Sequence, residues 1–387
     1  MGKLLRKMGL SMFANSVKLF SLSGFDIKLD PSWVLIAALI TWSLSQHYFP
    51  STLPDQSAQA YLVMAVGAML CFFASLLLHE LAHSVVARRS GVPIRGITLF
   101  LFGGVAELET EPQSPVVEFW VALAGPVMSF ALAFGFWVLT QLSALLLTAP
   151  GLTEVLSYLA FINLVLALFN LVPAFPLDGG RVLRAYLWHR SGDALQATET
   201  ASRTGAAFAY ALMTLGVLSL FQGGLVAGLW YIMIGSFVLA AAKSSYENQL
   251  AHTVLKNKSV SAVMTRDPVT VDPAMTLADF ANSILLGRRV SFVPVVEDAV
   301  LLGHMDQNLL AAIDRENWSD TRVGDVFAGL DADATVPPEM PAEDLLQHMS
   351  KTGRRKFLVV HQHHLDGVIT LADLSQYLRT ADALRPH

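Results

Sequence analysis

Charge is scarce over the first 245 residues of this chain. No lysine or arginine occurs between Lys28 and Arg88, between Arg95 and Arg181, or between Arg203 and Lys243. Up to Ser245 there are 13 basic and 12 acidic residues, about 10% of that stretch, where an ordinary soluble domain carries about 25%. This excludes one average water-soluble globule. From Tyr246 onward 13 basic and 19 acidic residues restore an ordinary charge density. Cysteine is nearly absent: Cys71 is the single one, so no intrachain disulfide exists and nothing points to an oxidising compartment. A basic excess is also missing, which argues against a nucleic-acid partner. The start, Met1–Phe20, carries Lys3, Arg6 and Lys7, but its apolar run is short and broken by Asn15 and Lys18. That makes a poor signal peptide, and the segment is expected to be retained.

What fills the uncharged gaps is hydrocarbon. Each gap has room for two spans of about 20 residues, and six are expected: Ser32–His47, Tyr61–Ala87, Val116–Leu147, Val155–Leu171, Ala206–Phe221 and Leu225–Ala242. The basic residues fall in alternate connections, which by the positive-inside bias are cytoplasmic. An even number of spans then puts both termini in the cytoplasm. Ile97–Glu111 (ITLFLFGGVAELETE) is too short and too acidic at its end to cross. Gly103-Gly104 between two apolar runs suggests a hairpin or re-entrant loop lying against the helices as an edge.

The second apolar stretch contains His79-Glu80-Leu81-Ala82-His83. On a helix His79 and His83 project from one face and can hold one Zn²⁺, with Glu80 beside them to take a proton from water. Ionisable groups inside a span are expensive and mark function. A catalytic zinc site needs a third protein ligand. Asp55 and Glu154 fall on the far side, and Glu107, Glu109, Glu111 and Glu118 lie around the hairpin. Asp178 is the remaining strong candidate, in Asn170-Leu171-Val172-Pro173-Ala174-Phe175-Pro176-Leu177-Asp178-Gly179-Gly180-Arg181. Two prolines forbid a regular helix there and two glycines allow a tight turn, so an extended segment can present the carboxylate. Asp178 could equally cap a helix starting at Gly179 or Gly180. Cys71 lies about 12 Å along the helix from His79, too far to share a metal, and reads as a packing residue.

HExxH in a membrane helix, NxxPxxPLDGG after a later one, the GG hairpin, Ala124-Gly125-Pro126 in the third helix and six spans together resemble the site-2 protease family of intramembrane zinc metalloproteases, over roughly Gly24–Ala242. The resemblance implies His79, His83 and Asp178 as zinc ligands and Glu80 as the general base of metal-assisted peptide hydrolysis. It implies that Asn170 positions substrate or stabilises the oxyanion, although a helix–helix hydrogen bond would serve as well. Asn163 matches another polar family position and reads as packing. The substrate helix must unwind locally, because its carbonyls are otherwise hydrogen-bonded. The inserted PDZ-like segment of some site-2 proteases is not found between the spans.

After a polar linker, Ser244–Lys258, the remainder repeats itself. VSAVM (Val260–Met264) resembles VGDVF (Val323–Phe327), GRRVSFVPVV (Gly287–Val296) resembles GRRKFLVVHQ (Gly353–Gln362), and LLGHMDQNLL (Leu301–Leu310) resembles LDGVITLADL (Leu365–Leu374). Each unit reads as strand, helix, two strands and helix, and two units can bury a shared core. This tandem resembles a pair of cystathionine-β-synthase (CBS) domains, a regulatory module. The resemblance implies an adenine nucleotide, ATP or AMP, with Thr370 and Asp373 holding ribose and phosphate. The first repeat departs from that pattern, with Asp306 and Leu309 in the equivalent places, so one nucleotide site is expected at most. Thr370 could also be an N-cap and the pair a dimerisation module without ligand. Arg288, Arg289, Arg354, Arg355 and Lys356 could meet phosphates or be solvated surface; His361, His363 and His364 fall in a turn and are expected to be exposed.

The expected architecture is a polytopic α-helical membrane domain of six transmembrane helices with a re-entrant or edge β-hairpin, followed by an α/β tandem CBS pair. Its segments are a cytoplasmic start (1–30), the zinc protease domain (31–243), the linker (244–258), the two repeats (259–320 and 321–380) and a tail (381–387). The expected function is cleavage of a single-span membrane protein within or near its span, in a prokaryotic inner membrane. Nucleotide binding would modulate it, and the CBS pair could form a homodimer. Two alternatives are a CBS-regulated channel or transporter and a zinc-binding pseudoprotease scaffold. A conduction path would need polar rings on several helices.

Overall fold

The computed structural model describes residues 16–22, 24–101, 103–108, 112–146, 149–362 and 364–385. The chain divides into two compact units, Met1–Glu247 and Asn248–His387. The first opens with a hairpin of β1 (Val17–Leu22) and β2 (Phe25–Leu29), turned at Gly24 with φ +83. Phe25 and Ile27 alternate inward with the polar Asp26 and Lys28 between them, the period of a strand with one covered face. Helix α1 (Ser32–Ser43) continues through a π-type turn, Leu44–Tyr48, into the short helix Phe49–Thr52. Helix α2 (Ala58–Arg89) begins on Ser57, whose hydroxyl accepts from the Ala60 N–H, and ends on Arg88 and Arg89, which complement its C-terminal dipole.

Strands β3 (Ile94–Phe100) and β4 (Gly103–Leu108) complete a sheet of order β1-β2-β3-β4. The expected hairpin is therefore present, with Leu99 opposite Gly104. It does not stand alone, because β2 and β3 pair in parallel, and a parallel pair needs a long crossover, here the helices between residues 32 and 89. Residues 17–29 were expected as a segment outside the membrane domain, and they form half of its sheet.

Helices α3 (Pro115–Leu146), α4 (Pro150–Asn170), α5 (Asp178–Ser191), α6 (Ala194–Phe221) and α7 (Leu225–Leu255) follow. Among the described residues five helices are long and apolar enough to cross a membrane: α2, α3, α4, α6 and α7. Small residues let α6 and α7 approach closely. A Cβ on Gly216 would meet the Gly228 carbonyl at 2.8 Å, and one on Gly228 would meet that of Gly216 at 2.7 Å. Gly192, at φ +75, ends α5, and the Asp193 carboxylate caps α6 by accepting from Leu195 and Gln196. The stretch expected to be a linker is helical as far as Leu255, which is buried in the second unit. Cys71, expected to be a packing residue, is exposed.

The second unit holds two small sheets. In one, β6 (Phe292–Glu297) and β7 (Val300–Asp306) form a hairpin extended by β8 (Ala328–Gly329). In the other, β10 (Lys356–His361) and β11 (His364–Thr370) form a hairpin flanked by β5 (Thr265–Arg266) and β9 (Thr335–Val336). The two hairpins carry equivalent bulges, after Val295 and after Val359. The repeats exchange edge strands. Strand β5, from the first repeat, pairs with β11 of the second, while β8, from the second, pairs with β7 of the first. Helix α8 (Ala342–Thr352) packs Leu345 and Met349 under the second sheet, and α9 (Leu371–Ala383) follows β11.

His304 on β7 packs against Phe292, with its Nδ1 buried and unpartnered. Burial lowers its pKa below the ordinary 6.5, Asp306 and Asp331 oppose that shift, and the Arg354 and Lys356 cations add to it. A histidine held neutral in the fold contributes stability that is present above about 6.5 and is lost as pH falls through the lowered folded value. The thermal midpoint of the second unit should therefore fall between pH 7 and 5, and His304→Gln should flatten that dependence. Equal slopes in both proteins would disprove the assignment.

Candidate metal centre

His79 and His83 lie one turn apart on α2, about 14 and 8 Å before Arg88 near its end, at 1.5 Å per residue. Asp178 is the first residue of α5. The structure brings these three together. His79 Nε2 and His83 Nε2 are 3.2 Å apart, and each is 3.2 Å from Asp178 Oδ2. All three side chains are nearly closed to solvent. Leu177 is the N-cap of α5 and no side chain caps it, so the Asp178 carboxylate faces the imidazoles in place of the capping alternative.

The outer nitrogens are fixed by α3. His83 Nδ1 lies 2.6 Å from the Val121 carbonyl, which can only accept, so that nitrogen carries the proton and Nε2 presents a lone pair. His79 Nδ1 lies 2.9 Å from Ser129 Oγ. Ser129 Oγ can accept from His79 Nδ1, and with the proton there both Nε2 lone pairs converge with a carboxylate oxygen, a donor set suited to a cation. Bonds of about 2.0–2.1 Å to a tetrahedral zinc place ligand atoms about 3.3 Å apart, so the donor set fits zinc in both chemistry and spacing. Among the described residues no other group of three such side chains converges in this way.

A cavity of about 370 Å³ opens on this triangle, lined among others by Glu80, Gly104, Asn170 and Arg181. Glu80 packs against β4, where a Cβ on Gly104 would stand 2.4 Å from Glu80 Cγ. Gly125 of α3 is as tightly constrained: its Cβ would fall 2.1 Å from His83 Nε2 and 2.5 Å from His79 Nε2. Gly179 and Gly180 press on the backbone of Leu171 and Phe175, which lets α5 begin against the loop that leads to it.

Asn170 lines the cavity and donates from Nδ2 to the Leu166 carbonyl, 3.1 Å away. Asn163 is buried, donating to the Leu159 carbonyl at 2.8 Å and to Ser75 Oγ at 3.3 Å, and so ties α4 to α2. Of the other acids considered as ligands, Glu118 is buried against Arg184, and Glu109 and Glu111 lie outside the described residues. The orienting roles of Val121 and Ser129 were missed. Their spacing with Gly125, at intervals of four on one helix face, was the available signal.

In the second unit Thr370 and Asp373 form a reciprocal capping box at the start of α9. Thr370 donates from N and Oγ1 to Asp373 Oδ2, at 3.1 and 2.8 Å, and Asp373 N donates to Thr370 Oγ1 at 3.2 Å. Asp306 caps the equivalent turn of the first repeat and pairs with Lys356 at 3.4 Å. Arg354 pairs with Asp331, while Arg288, Arg289 and Arg355 are exposed. His361 and His364 are exposed, and His363 lies outside the described residues.

Comparison with known proteins gives the family. The family model for Peptidase family M50 matches residues 67–149 and 146–212. The chain is 36% identical over 366 residues to "Putative zinc metalloprotease Rip3" of Mycobacterium tuberculosis strain H37Rv, covering 94% of this chain and 93% of that one. The chain belongs to peptidase family M50. As an M50 metalloprotease it is also 31% identical over 374 residues to "Putative zinc metalloprotease sll0528" of Synechocystis sp. strain PCC 6803, over 95% and 97% of the two chains. Among solved structures it is similar to the site-2 protease from Methanocaldococcus jannaschii, at 28% identity and TM-score 0.42, covering 60% of this chain and 95% of that one. The CBS domain model matches residues 260–303 and 323–380 of this M50 protein. It is thus an M50-family zinc metalloprotease with CBS domains.

Proposed function

We propose that this M50 protein is an intramembrane endopeptidase that cuts a single-span membrane protein within or near its span, with His79, His83 and Asp178 holding one zinc ion. The observation that carries the reading is the convergence of two imidazoles and one carboxylate at 3.2 Å separations on a cavity shared with Glu80. A zinc ion held there would polarise the scissile carbonyl and ease deprotonation of the attacking water. Glu80 takes that water's proton as its oxygen adds to the carbonyl carbon. It then delivers the proton to the amine nitrogen as the C–N bond breaks. Asn170 has two N–H donors on its amide, so one remains for the developing oxyanion beside the bond to Leu166.

In this reading the run Ser32–Thr52 is a sixth span: it contains no Asp, Glu, Lys or Arg and extends about 30 Å at 1.5 Å per residue. Six spans put both termini and the CBS pair in the cytoplasm of a prokaryotic inner membrane, with β3–β4 as the re-entrant edge. The test is cleavage of single-span substrates in vesicles containing the purified protein, with cut sites read by mass spectrometry. Sites within or beside the span, shifted by helix-breaking substitutions there, are expected. Cleavage confined to soluble segments would contradict the reading.

The CBS pair senses an adenine nucleotide through Thr370 and Asp373 and can associate with a second copy. Asp373→Ala should remove any difference between cleavage rates with and without ATP or AMP, and should cost about 1 kcal/mol at the cap of α9. A wild-type rate indifferent to both nucleotides would refute this regulation.

A further inference from the structure

Among the described residues Glu118 is the most deeply buried acid of the membrane unit, and the mechanism does not use it. It lies on α3, about one turn before Val121 and two before Gly125. Its Oε1 accepts from Arg184 Nε at 2.6 Å, with Arg181 Nε 4.0 Å away, while Oε2 has no hydrogen-bond partner among the described residues. Arg184, itself buried, reaches on to Thr198 Oγ1 of α6 at 3.5 Å and stacks near the Phe175 ring. Burying such a pair gives little net stability, because desolvation offsets much of the attraction. What the pair can supply is position. Arg181 and Arg184 stand three and six residues after Asp178 on α5, a helix of 14 residues entered through an irregular segment. The placement of Asp178 therefore depends on what anchors α5. The same face of α3 that holds Glu118 also supplies Val121 and Ser129 to the outer nitrogens of the histidines.

We infer that Glu118 is a positioning residue of the metal centre: through Arg184 it sets Asp178 against the histidine pair that α3 orients one and three turns further on. The inference rests on the zinc reading proposed above. One rigid helix thereby indexes both halves of a ligand set that lie 95 residues apart between His83 and Asp178.

The test is metal binding by the full-length protein in detergent, stripped of metal and titrated with Zn²⁺ against a chelator and with Co²⁺ by visible spectroscopy. Glu118→Gln is expected to weaken zinc binding about 10–100-fold, the range of other residues that orient metal ligands. The spectrum of its Co²⁺ form should move toward that of Asp178→Ala. The double variant Glu118→Gln/Arg184→Met leaves no buried charge unpaired and keeps the inference testable if the single variant fails to fold. It should regain the wild-type thermal midpoint and not the affinity. Wild-type affinity and spectrum in the double variant would overturn the inference while leaving the zinc reading intact. Unchanged zinc affinity in Asp178→Ala would remove the zinc reading and this inference together.

Discussion

Glu80→Gln is expected to lower peptide cleavage by roughly 10²–10⁴-fold, the range of a lost general base, while zinc content stays at the wild-type level. Glutamine keeps the shape of the side chain, which matters because Gly104 leaves no slack against Glu80 Cγ. What it loses is the capacity to accept the water's proton. The metal should remain, because the three donors proposed for it are His79, His83 and Asp178, and the outer bonds of the histidines go to Ser129 and Val121. Rate and metal content must be measured on one preparation. Full cleavage by the purified variant would remove Glu80 from its role.

Gly125→Ala should produce the opposite pairing, a loss of zinc with the helices intact. Alanine in a helix interior is favoured over glycine by about 1 kcal/mol, so helix α3 itself gains. The added methyl, however, would stand 2.1 Å from one ligand nitrogen and 2.5 Å from the other. Pro126 follows immediately and the Val121 carbonyl one turn earlier is engaged by His83, so the imidazoles have to yield before the backbone does. Their displacement breaks the 3.2 Å triangle, and zinc affinity is expected to fall by about 100-fold or more, at or beyond the upper end of effects on ligand orientation. Gly135→Ala is the control on the same helix, since nothing lies within 4 Å of its Cβ. It should bind zinc as the wild type does. Equal affinities in all three proteins would show that the imidazoles do not sit where the geometry puts them.

The convergence of His79, His83 and Asp178 was legible in part, because helical spacing alone puts the two histidines on one face and because Pro173, Pro176 and the glycine pair mark Asp178 as the end of a non-helical segment. The long helices were legible for a similar reason, the long gaps without a basic residue. Other parts were hidden by context. Phe25 and Ile27 alternate as a strand should, but their partner β3 lies about 70 residues further on and pairs in parallel, which no local pattern announces. Helix α5 and the first turns of α6 are polar and charged, so a search for spans passes over them. Gly104 and Gly125 read as ordinary glycines, and only the packed structure shows Glu80 and the imidazoles in the space a side chain would take. The tandem repeat was visible from Val260 onward, whereas the exchange of β5 and β8 between its sheets was not, because two-residue edge strands carry almost no pattern of their own.

In the proposed mechanism zinc held by His79, His83 and Asp178 performs the hydrolysis. The most direct test strips the purified full-length protein with a chelator, measures zinc and cleavage together, and then restores the metal in steps. One zinc per chain is expected, with cleavage lost in proportion to the metal removed and recovered at one equivalent of Zn²⁺, and no recovery in Asp178→Ala. Undiminished cleavage by fully stripped protein would contradict a zinc-dependent hydrolysis.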